Sequence, residues 1–213
     1  MFTGIVEEVG TVRRVVPGQK SVVLEVDATV VTEGTAVGDS ILTDGVCLTV
    51  TALRANGFIA DAQPETVRRT TLARRRAGER VNLERAMTLR SRLGGHLVSG
   101  HVDGVGVVAA LANEDNAVVV EIDAPEDVAR VTVAQGSVAV DGVSLTVVAV
   151  EGPRLRLSLI PHTVAVTTLC RLAPGVRVNL EADLIAKYVY AFVAGRKPAE
   201  GLTWEKLAEA GFA

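Results

Sequence analysis

Short apolar stretches separated by turn residues run along most of the chain. The stretches are rich in Val, Thr, Ile and Leu, and Gly, Pro, Asn and Asp stand between them. Several short strands at this spacing are typical of a small antiparallel β-barrel or β-sandwich. The pattern predicts strands in SVVLEVDA, SILTDGVCLTVTAL and GFIADAQ in the first half, and in AVVVEIDA, SVAVDGVSLTVVAV and RLRLSLI in the second.

The chain contains an internal repeat. DGVCLTV at 44–50 recurs as DGVSLTV at 141–147, PETVRRTTL at 64–72 as PHTVAVTTL at 161–169, and GERVNLE at 78–84 as GVRVNLE at 175–181, always 97 residues later. Near the start the offset is 96, and residues 3–6 correspond to 99–102. Self-similarity at a fixed offset predicts two homologous folding units in tandem.

The second copy ends in a segment with helical periodicity. Apolar residues in LIAKYVYAFVAG recur at helical spacing from Leu184 to Val193, which predicts an amphipathic helix. Since no third copy covers this stripe, we expect it to contact a neighbouring subunit, with its own barrel as the alternative. A last short helix is predicted from Thr203 to Gly211. The predicted domains are a barrel over 1–97, a barrel over 98–184, and an oligomerisation helix and tail over 185–213.

The stretch GGHLVSGHVDG at 94–104 contains two of the three histidines. Helical zinc sites place histidines at i and i+4, whereas His96 and His101 are five apart among glycines. An odd separation on a straight strand points two side chains to opposite faces, so we expect different roles. His101 holds the repeat position of Ile5, where the fold requires only an apolar strand residue, and is therefore a candidate for chemistry. His96 is expected to lie in the linker or behind the residues that contact a ligand.

Composition narrows the class of protein. The hydrophobic fraction of 48% supports a substantial core, and the net charge of −3 argues against a nucleic-acid partner. We interpret the Arg-rich run from Val67 to Arg76 as a solvated surface rather than a phosphate site. Cys47 and Cys170 lack CxxC spacing, which favours reduced thiols over a disulfide or zinc site. No signal peptide and no membrane span of about 18 apolar residues is recognisable, so we expect a soluble cytoplasmic protein.

Over nearly its whole length the chain resembles the riboflavin synthases, a family of trimeric two-barrel enzymes. The resemblance rests on MFTGIVEE, CLTV, PETVRRTTL, VNLERAM, GGHLVSGHVDG, GSVAVDGVSLTV, IPHTVAVTTL and VNLEADLIAKYV. It implies an all-β fold of two tandem six-stranded Greek-key barrels with a C-terminal α-helix. It also implies the dismutation of two molecules of 6,7-dimethyl-8-ribityllumazine to riboflavin and a 5-amino-6-ribitylamino-pyrimidinedione, with no metal and no other cofactor. The implied assembly is a homotrimer that associates with lumazine synthase, with each site between the N-barrel of one subunit and the C-barrel of the next.

The resemblance also implies a set of site residues. Substrate contacts fall on Gly4, Ile5, Val6, Cys47, Leu48, Thr49, Asp61, Ala62, Gln63, Pro64, Glu65, Thr66, Gly100, His101 and Val102, and in the second barrel on Gln135, Ser144, Leu145, Thr146, Ile160, Pro161, His162, Thr163, Val164 and Ala165. The catalytic candidates are Ser40, Cys47, His101, Ser144, Thr146 and Asp183.

Among these candidates His101 is predicted to move the proton of the lumazine 7-methyl group. A histidine suits this role because the ordinary pKa of its imidazole, about 6.5, allows it both to accept and to donate a proton near neutral pH. The hydroxyls of Ser144 and Thr146, and Cys47 in the other pocket, are expected to stabilise the carbanion or an added nucleophile. The alternative for each is structural: a hydrogen-bonded histidine, a small buried cysteine or ordinary strand residues.

Two positions depart from the family pattern. Gln135 stands where a lysine is usual, and Asp44 stands in a turn where an asparagine is usual. Three rival functions therefore stay open. They are a fluorescent relative that binds lumazine without turnover, a paralogue that acts on a modified lumazine, and a barrel that binds nucleic acid or protein.

Overall fold

The computed structural model describes residues 1–194, and within them the chain forms two closed six-stranded antiparallel barrels, as predicted. The first barrel consists of β1 (Glu8–Pro17), β2 (Val22–Asp27), β3 (Ser40–Thr43), β4 (Val46–Arg54), β5 (Gly57–Ala62) and β6 (Arg80–Arg85). The second consists of β7 (Gly104–Glu114), β8 (Ala117–Asp123), β9 (Ser137–Val140), β10 (Val143–Glu151), β11 (Arg154–Leu159) and β12 (Arg177–Ala182). The α-helices are α1 (Pro64–Arg69), α2 (Glu126–Ala129), α3 (Pro161–Val166) and α4 (Leu184–Ala194). The helix predicted from Thr203 to Gly211 lies outside the described residues.

Both barrels have the same strand order. Around the first barrel it is β1-β2-β5-β4-β3-β6, and the second repeats this order with β7 to β12, a Greek-key connectivity. Each barrel has two register shifts, in its first strand and in its fourth. Since β-bulges bend and twist a strand, these shifts at equivalent positions curve each sheet toward closure.

Alternation along the strands fills each barrel. Every second residue of β2 from Val22 to Val26 is buried, and so is every second residue of β11 from Leu155 to Leu159. This period of two sends one set of side chains inward. Each barrel therefore has its own apolar core.

The barrels meet at two hairpin turns. Asp44-Gly45 and Asp141-Gly142 each have positive φ at both residues, and each connects two strands through two residues, as in a type I′ turn. The turns touch, since a Cβ on Gly45 would lie 2.8 Å from the amide nitrogen of Gly142. The departure at Asp44 is thus located in a turn, as expected.

Asparagine side chains connect the turns across the interface. Asn82 Nδ2 donates to the carbonyl of Asp141 at 2.9 Å, and its repeat partner Asn179 Nδ2 donates to the carbonyl of Asp44 at 2.7 Å. All four residues are at least 95% buried. Hydrogen bonds of this kind satisfy backbone groups that would otherwise be costly to bury.

The buried carboxyls of Asp44 and Asp141 are both influenced by the charge of one arginine, Arg75. Arg75 Nη2 lies 2.8 Å from Asp44 Oδ2. Burial raises the pKa of Asp44 to about 6, against the lowering effect of Arg75. Burial and the charge of Asp44 raise the pKa of Asp141 to about 8. At neutral pH the interface therefore holds one carboxylate paired with Arg75 and one protonated carboxyl.

The Arg-rich run is only partly the solvated surface that we expected. Arg68 and Arg69 are exposed and pair with Glu65, and both hold the pKa of that carboxyl below its usual range. Arg75, in contrast, reaches inward to Asp44 and is only 21% exposed.

Helix α4 follows the last strand, where a helix was predicted. Asp183 Oδ1 accepts hydrogen bonds from the amides of Ile185 at 2.7 Å and Ala186 at 3.3 Å, as at a favourable N-cap. Lys187 Nζ lies 2.9 and 3.0 Å from the carboxylate oxygens of Asp103 and holds the helix beside β7. No residue of α4 is buried. None of the helices in residues 1–194 is long and apolar enough to span a membrane.

Candidate functional site

Two segments cross between the repeats: residues 2–6, which precede β1, and residues 98–102, which precede β7. We call them the crossing segments. The carbonyl of Gly4 accepts a hydrogen bond from the amide of Ser144 in β10 at 2.8 Å, and the carbonyl of Gly100 accepts one from the amide of Cys47 in β4 at 2.8 Å. Each segment therefore also contacts a strand of the other repeat's barrel.

The crossing arises because the two segments pair with each other. Phe2 and Val98 form an antiparallel bridge, in which each amide donates to the other's carbonyl at 2.8 and 3.1 Å. Both side chains are fully buried between the barrels with Leu42 and Ala139. This pairing satisfies the backbone and buries two large apolar side chains, so it holds each segment between the two barrels.

A buried glutamate fixes each segment. Glu84 accepts hydrogen bonds from the amide and hydroxyl of Thr3 at 2.6 and 2.7 Å and from the amide of Gly4 at 2.9 Å. Glu181, its repeat partner, accepts the same three bonds from residues 99 and 100 at 2.7, 2.6 and 2.9 Å. Burial raises the pKa of both carboxyls, and these hydrogen bonds oppose the rise. The sequence signal was present in the repeated VNLE motif, but it does not reveal the partners.

The first crossing contact creates what we name the serine site, formed by Gly4, Gly95, His96 and Ser144. His96 Nδ1 lies 2.7 Å from Ser144 Oγ, and His96 is only 8% exposed. A Cβ on Gly95 would lie 2.8 Å from the Ser144 Cβ, so the glycine is what allows the approach. Burial lowers the pKa of His96 below its ordinary value, against the opposing charge of Asp183. A neutral imidazole beside a hydroxyl is able to accept its proton.

Sequence reasoning left His96 outside the catalytic set. The available signal was the glycine pair before it, because consecutive glycines mark a place where backbone approaches other groups closely. Within residues 1–194 the other ring nitrogen of His96, Nε2, is buried and makes no hydrogen bond.

The second crossing contact creates the cysteine site, formed by Cys47, Gly100 and His101. A Cβ on Gly100 would lie 2.5 Å from the Cys47 Cβ, and Cys47 is partly buried. The His101 side chain is exposed and makes no hydrogen bond in the described part of the chain. Ile5 is 48% exposed and outside any strand, so our assignment of this repeat position to an apolar strand was wrong. The crossing segments are extended but border solvent.

Two further groups of predicted substrate contacts lie beside the strands of the cysteine site and the serine site. Residues 61–66 run from the end of β5 into α1, and 160–165 run from the end of β11 into α3. They border the strands of Cys47 and Ser144, because β4 and β5, like β10 and β11, are neighbours. Among all the predicted substrate contacts, most side chains are exposed or half-buried. The buried side chains are those of Ala62, Leu48, Val102 and Leu145. These four point into the cores, so a ligand reaches them only through the backbone.

The remaining catalytic candidates lie in three different places. Thr146 is exposed two residues after Ser144 and on the same face of β10. Ser40 lines a cleft of about 800 Å³ with Ile5 and Glu84. Asp183 caps α4.

Gln135 adopts a positive φ of 64°, a backbone conformation that favours glycine, and its repeat partner is Gly38. Its side chain is exposed at the turn before β9. In residues 1–194 no three His, Cys, Asp or Glu side chains are grouped so that they could hold a metal ion.

Comparison with known proteins defines the class first. A family model described as lumazine binding domain matches residues 3–86 and again residues 99–183, so the chain is a protein of two lumazine-binding domains. The riboflavin synthases of Actinobacillus pleuropneumoniae and Bacillus subtilis are 41% and 40% identical to it, over 100% of each chain. That of Mycobacterium tuberculosis is 47% identical over 89% of this chain and 96% of its own. The chain belongs to the riboflavin synthase family and is an enzyme of that type.

Solved structures share the fold. The crystal structure of LumP complexed with 6,7-dimethyl-8-(1'-D-ribityl) lumazine aligns with a TM-score of 0.78 at 23% identity, and covers 85% of this chain and 99% of LumP. LumP complexed with riboflavin aligns with a TM-score of 0.79 at 24% identity over the same shares. At these identities the likeness concerns the fold alone.

Proposed function

We propose that the chain binds 6,7-dimethyl-8-ribityllumazine at the serine site and at the cysteine site, and transfers a four-carbon unit between two such molecules. The products are riboflavin and 5-amino-6-ribitylamino-pyrimidinedione. A reaction between two identical molecules needs two similar pockets with different chemistry. The observation that carries the proposal is that the crossing segments build two repeat-equivalent sites, one with a serine and the other with a cysteine on its strand.

The two sites receive different roles in this proposal. His101 removes and returns the proton of the lumazine 7-methyl group. The Ser144 hydroxyl, with its proton held toward neutral His96, stabilises or adds to the ring of one lumazine, and Cys47 does the same for the other. Ser40, Thr146 and Asp183 complete the polar surroundings.

The proposed assembly is a cytoplasmic homotrimer in which the serine site of one subunit faces the cysteine site of the next. Its support is the exposed apolar surface of α4, where Ile185, Tyr188 and Val189 are 56–71% exposed. Exposed apolar area of this kind marks a contact surface. Holding two reactants face to face in this way removes up to about 7–11 kcal/mol from a bimolecular barrier.

The direct test supplies the full-length chain with dimethylribityllumazine alone. We expect flavin absorbance to rise while lumazine absorbance falls, with two lumazines consumed per flavin. Tight binding with an unchanged spectrum would instead indicate a non-catalytic lumazine binder. If turnover is absent with this compound, the variant Gln135→Lys distinguishes a paralogue that acts on a modified lumazine from a non-catalytic binder. Recovery of turnover in this variant would indicate a changed substrate rather than lost catalysis.

A further inference from the structure

A second cavity, of about 220 Å³, lies between the barrels beside Asp141. Four arginines line it, two from each repeat: Arg75, Arg80, Arg171 and Arg177. Arg80 and Arg177 begin the equivalent strands β6 and β12. Equivalent arginines of both repeats therefore line the same cavity.

Three of these arginines lack an acidic partner among residues 1–194. The Arg80 side chain donates to the carbonyl of Val9 at 3.2 Å, and the side chains of Arg171 and Arg177 make neither a hydrogen bond nor an ion pair there. Guanidinium groups that line one cavity repel one another, and an anion between them removes that repulsion.

The acidic residues of the cavity do not balance this charge. Glu79 lies 3.7 Å from Arg75, which also pairs with Asp44, so these two carboxylates are matched to a single arginine. Asp141 is protonated at neutral pH, since burial and the charge of Asp44 raise its pKa to about 8. The cavity therefore has a net positive charge at neutral pH.

Two buried polar atoms in the lining have no partner. They are Arg75 Nε, which is only a donor, and Thr168 Oγ1, which has a proton to donate. A buried donor without an acceptor costs free energy. Both residues line the cavity, so the described residues alone leave its polar wall incompletely satisfied.

We propose that this cavity binds a phosphate-type oxyanion, held by arginines of both repeats. Arginine suits the role because its planar guanidinium binds phosphate through two parallel hydrogen bonds. The cavity is smaller than the roughly 300–1,000 Å³ typical of pockets for drug-sized ligands, so it fits a phosphate group rather than a whole nucleotide. Neither lumazine nor riboflavin carries a phosphate, so this site is separate from the synthase reaction.

Calorimetric titration of the full-length chain at pH 7 and constant ionic strength tests the proposal. The two probes are inorganic phosphate and ribose 5-phosphate, with sodium chloride as the blank. We expect saturable binding at one site per chain. Equal affinity for both probes indicates a site for the phosphate group itself, whereas tighter binding of the ester indicates a phosphorylated metabolite.

Arg80→Gln and Arg177→Gln should each weaken binding about ten- to a hundredfold, because each removes charge-assisted hydrogen bonds. Arg14→Gln, an exposed arginine on β1 outside the cavity, is the matched control. Flavin formation without phosphate should be unchanged in all three. If either arginine variant fails to fold, Arg171→Gln takes its place, because the Arg171 side chain lines the cavity and makes no hydrogen bond or ion pair within residues 1–194. No saturable phosphate signal above the chloride blank, or wild-type affinity in the Arg80 and Arg177 variants, would overturn the proposal.

Discussion

His96 and His101 stand five positions apart in different surroundings. His96 is buried against Ser144, and His101 is exposed beside the cysteine site. From the sequence alone, His101→Ala is expected to be damaging and His96→Ala to cost less than about tenfold. The contact with Ser144 changes the second expectation, because a buried base paired with a hydroxyl acts together with it.

We therefore expect His96→Ala and Ser144→Ala each to lower turnover about a hundred- to ten-thousandfold. If the two groups act as a unit, the double variant should be no slower than the slower single variant. Lumazine turnover at saturating substrate measures all three. Multiplicative losses in the double variant would show that the 2.7 Å contact is not used in catalysis.

His101→Ala should lower turnover on the same scale of about a hundred- to ten-thousandfold while the melting temperature moves little. The reason is that the exposed imidazole makes no hydrogen bond within residues 1–194, so the fold loses nothing with it. Turnover and thermal melts of the variant check both parts. Near-normal turnover would remove His101 from the proposed mechanism.

Asp44 and Asp141 make the barrel interface sensitive to pH. Both carboxyls hold their protons more tightly in the folded chain than at their ordinary pKa of 3.8. The folded state therefore binds more protons than the unfolded state, and stability falls as pH rises from about 4 through about 6 and 8. Above these values two buried carboxylates share the single charge of Arg75.

Asp44→Asn should raise stability at pH 8–9 and flatten its pH dependence, because it leaves one buried carboxylate, that of Asp141, beside the guanidinium of Arg75. Asparagine tolerates the turn's positive φ and keeps an acceptor for the amide of Asn82. Each tenfold change in the proton affinity of Asp141 is worth about 1.4 kcal/mol. Urea unfolding between pH 6 and 9 measures the effect, with Asp115→Asn, an exposed turn residue at φ 53°, as control. A parallel pH profile in Asp44→Asn and wild type would contradict the shared-arginine account.

At the scale of elements, the crossing segments depend on glycines. Gly100 combines a φ of 80° with a backbone packed on Cys47, whereas Gly152 has a similar φ of 61° and open space around it. Gly152→Ala should therefore cost only the left-handed backbone, about 1–2 kcal/mol. Gly100→Ala adds a clash 2.5 Å from the Cys47 Cβ, which should cost clearly more and abolish most turnover.

Chemical denaturation and turnover of the two glycine variants test this comparison. Equal loss of stability would mean that the segment moves aside without penalty, and the close approach to Cys47 would then not be what positions the site.

At the scale of the whole molecule, α4 presents apolar side chains that remain more than half exposed beside its own barrel. Val189 is 56% exposed on α4 and Val37 is 62% exposed in a loop of the first barrel. We expect Val189→Asp to dissociate the proposed trimer and lower turnover strongly, since it places a charge in the proposed subunit contact. Val37→Asp should change neither.

Truncation before Leu184 should have the same effect as Val189→Asp and leave both barrels folded. Sedimentation measures the oligomeric state of each variant, and lumazine turnover measures its activity. A fully active trimer from Val189→Asp or from the truncated chain would contradict the proposed contact.

Much of the architecture is readable from local pattern. Alternating apolar runs predict the strands, the repeat offset predicts two equivalent units, and the helical spacing after Asp183 predicts α4. The reason is that strand and helix periods depend on neighbours within a few residues, and a duplicated sequence buries its side chains in the same way twice. The motifs likewise identify Cys47 and Ser144 as equivalent positions.

What the tertiary structure alone decided is which segment meets which barrel. The contact of His96 with Ser144 joins residues 48 apart, and the bond from Asn179 to Asp44 joins residues 135 apart. No local period carries such distances, because these contacts depend on how two folded barrels pack and on where their chain ends cross. The sequence by itself therefore determined two barrels and the chemistry of their side chains. Only the packing of those barrels placed His96 in the serine site, brought each crossing segment against the other repeat's barrel and buried two carboxyls beside one arginine.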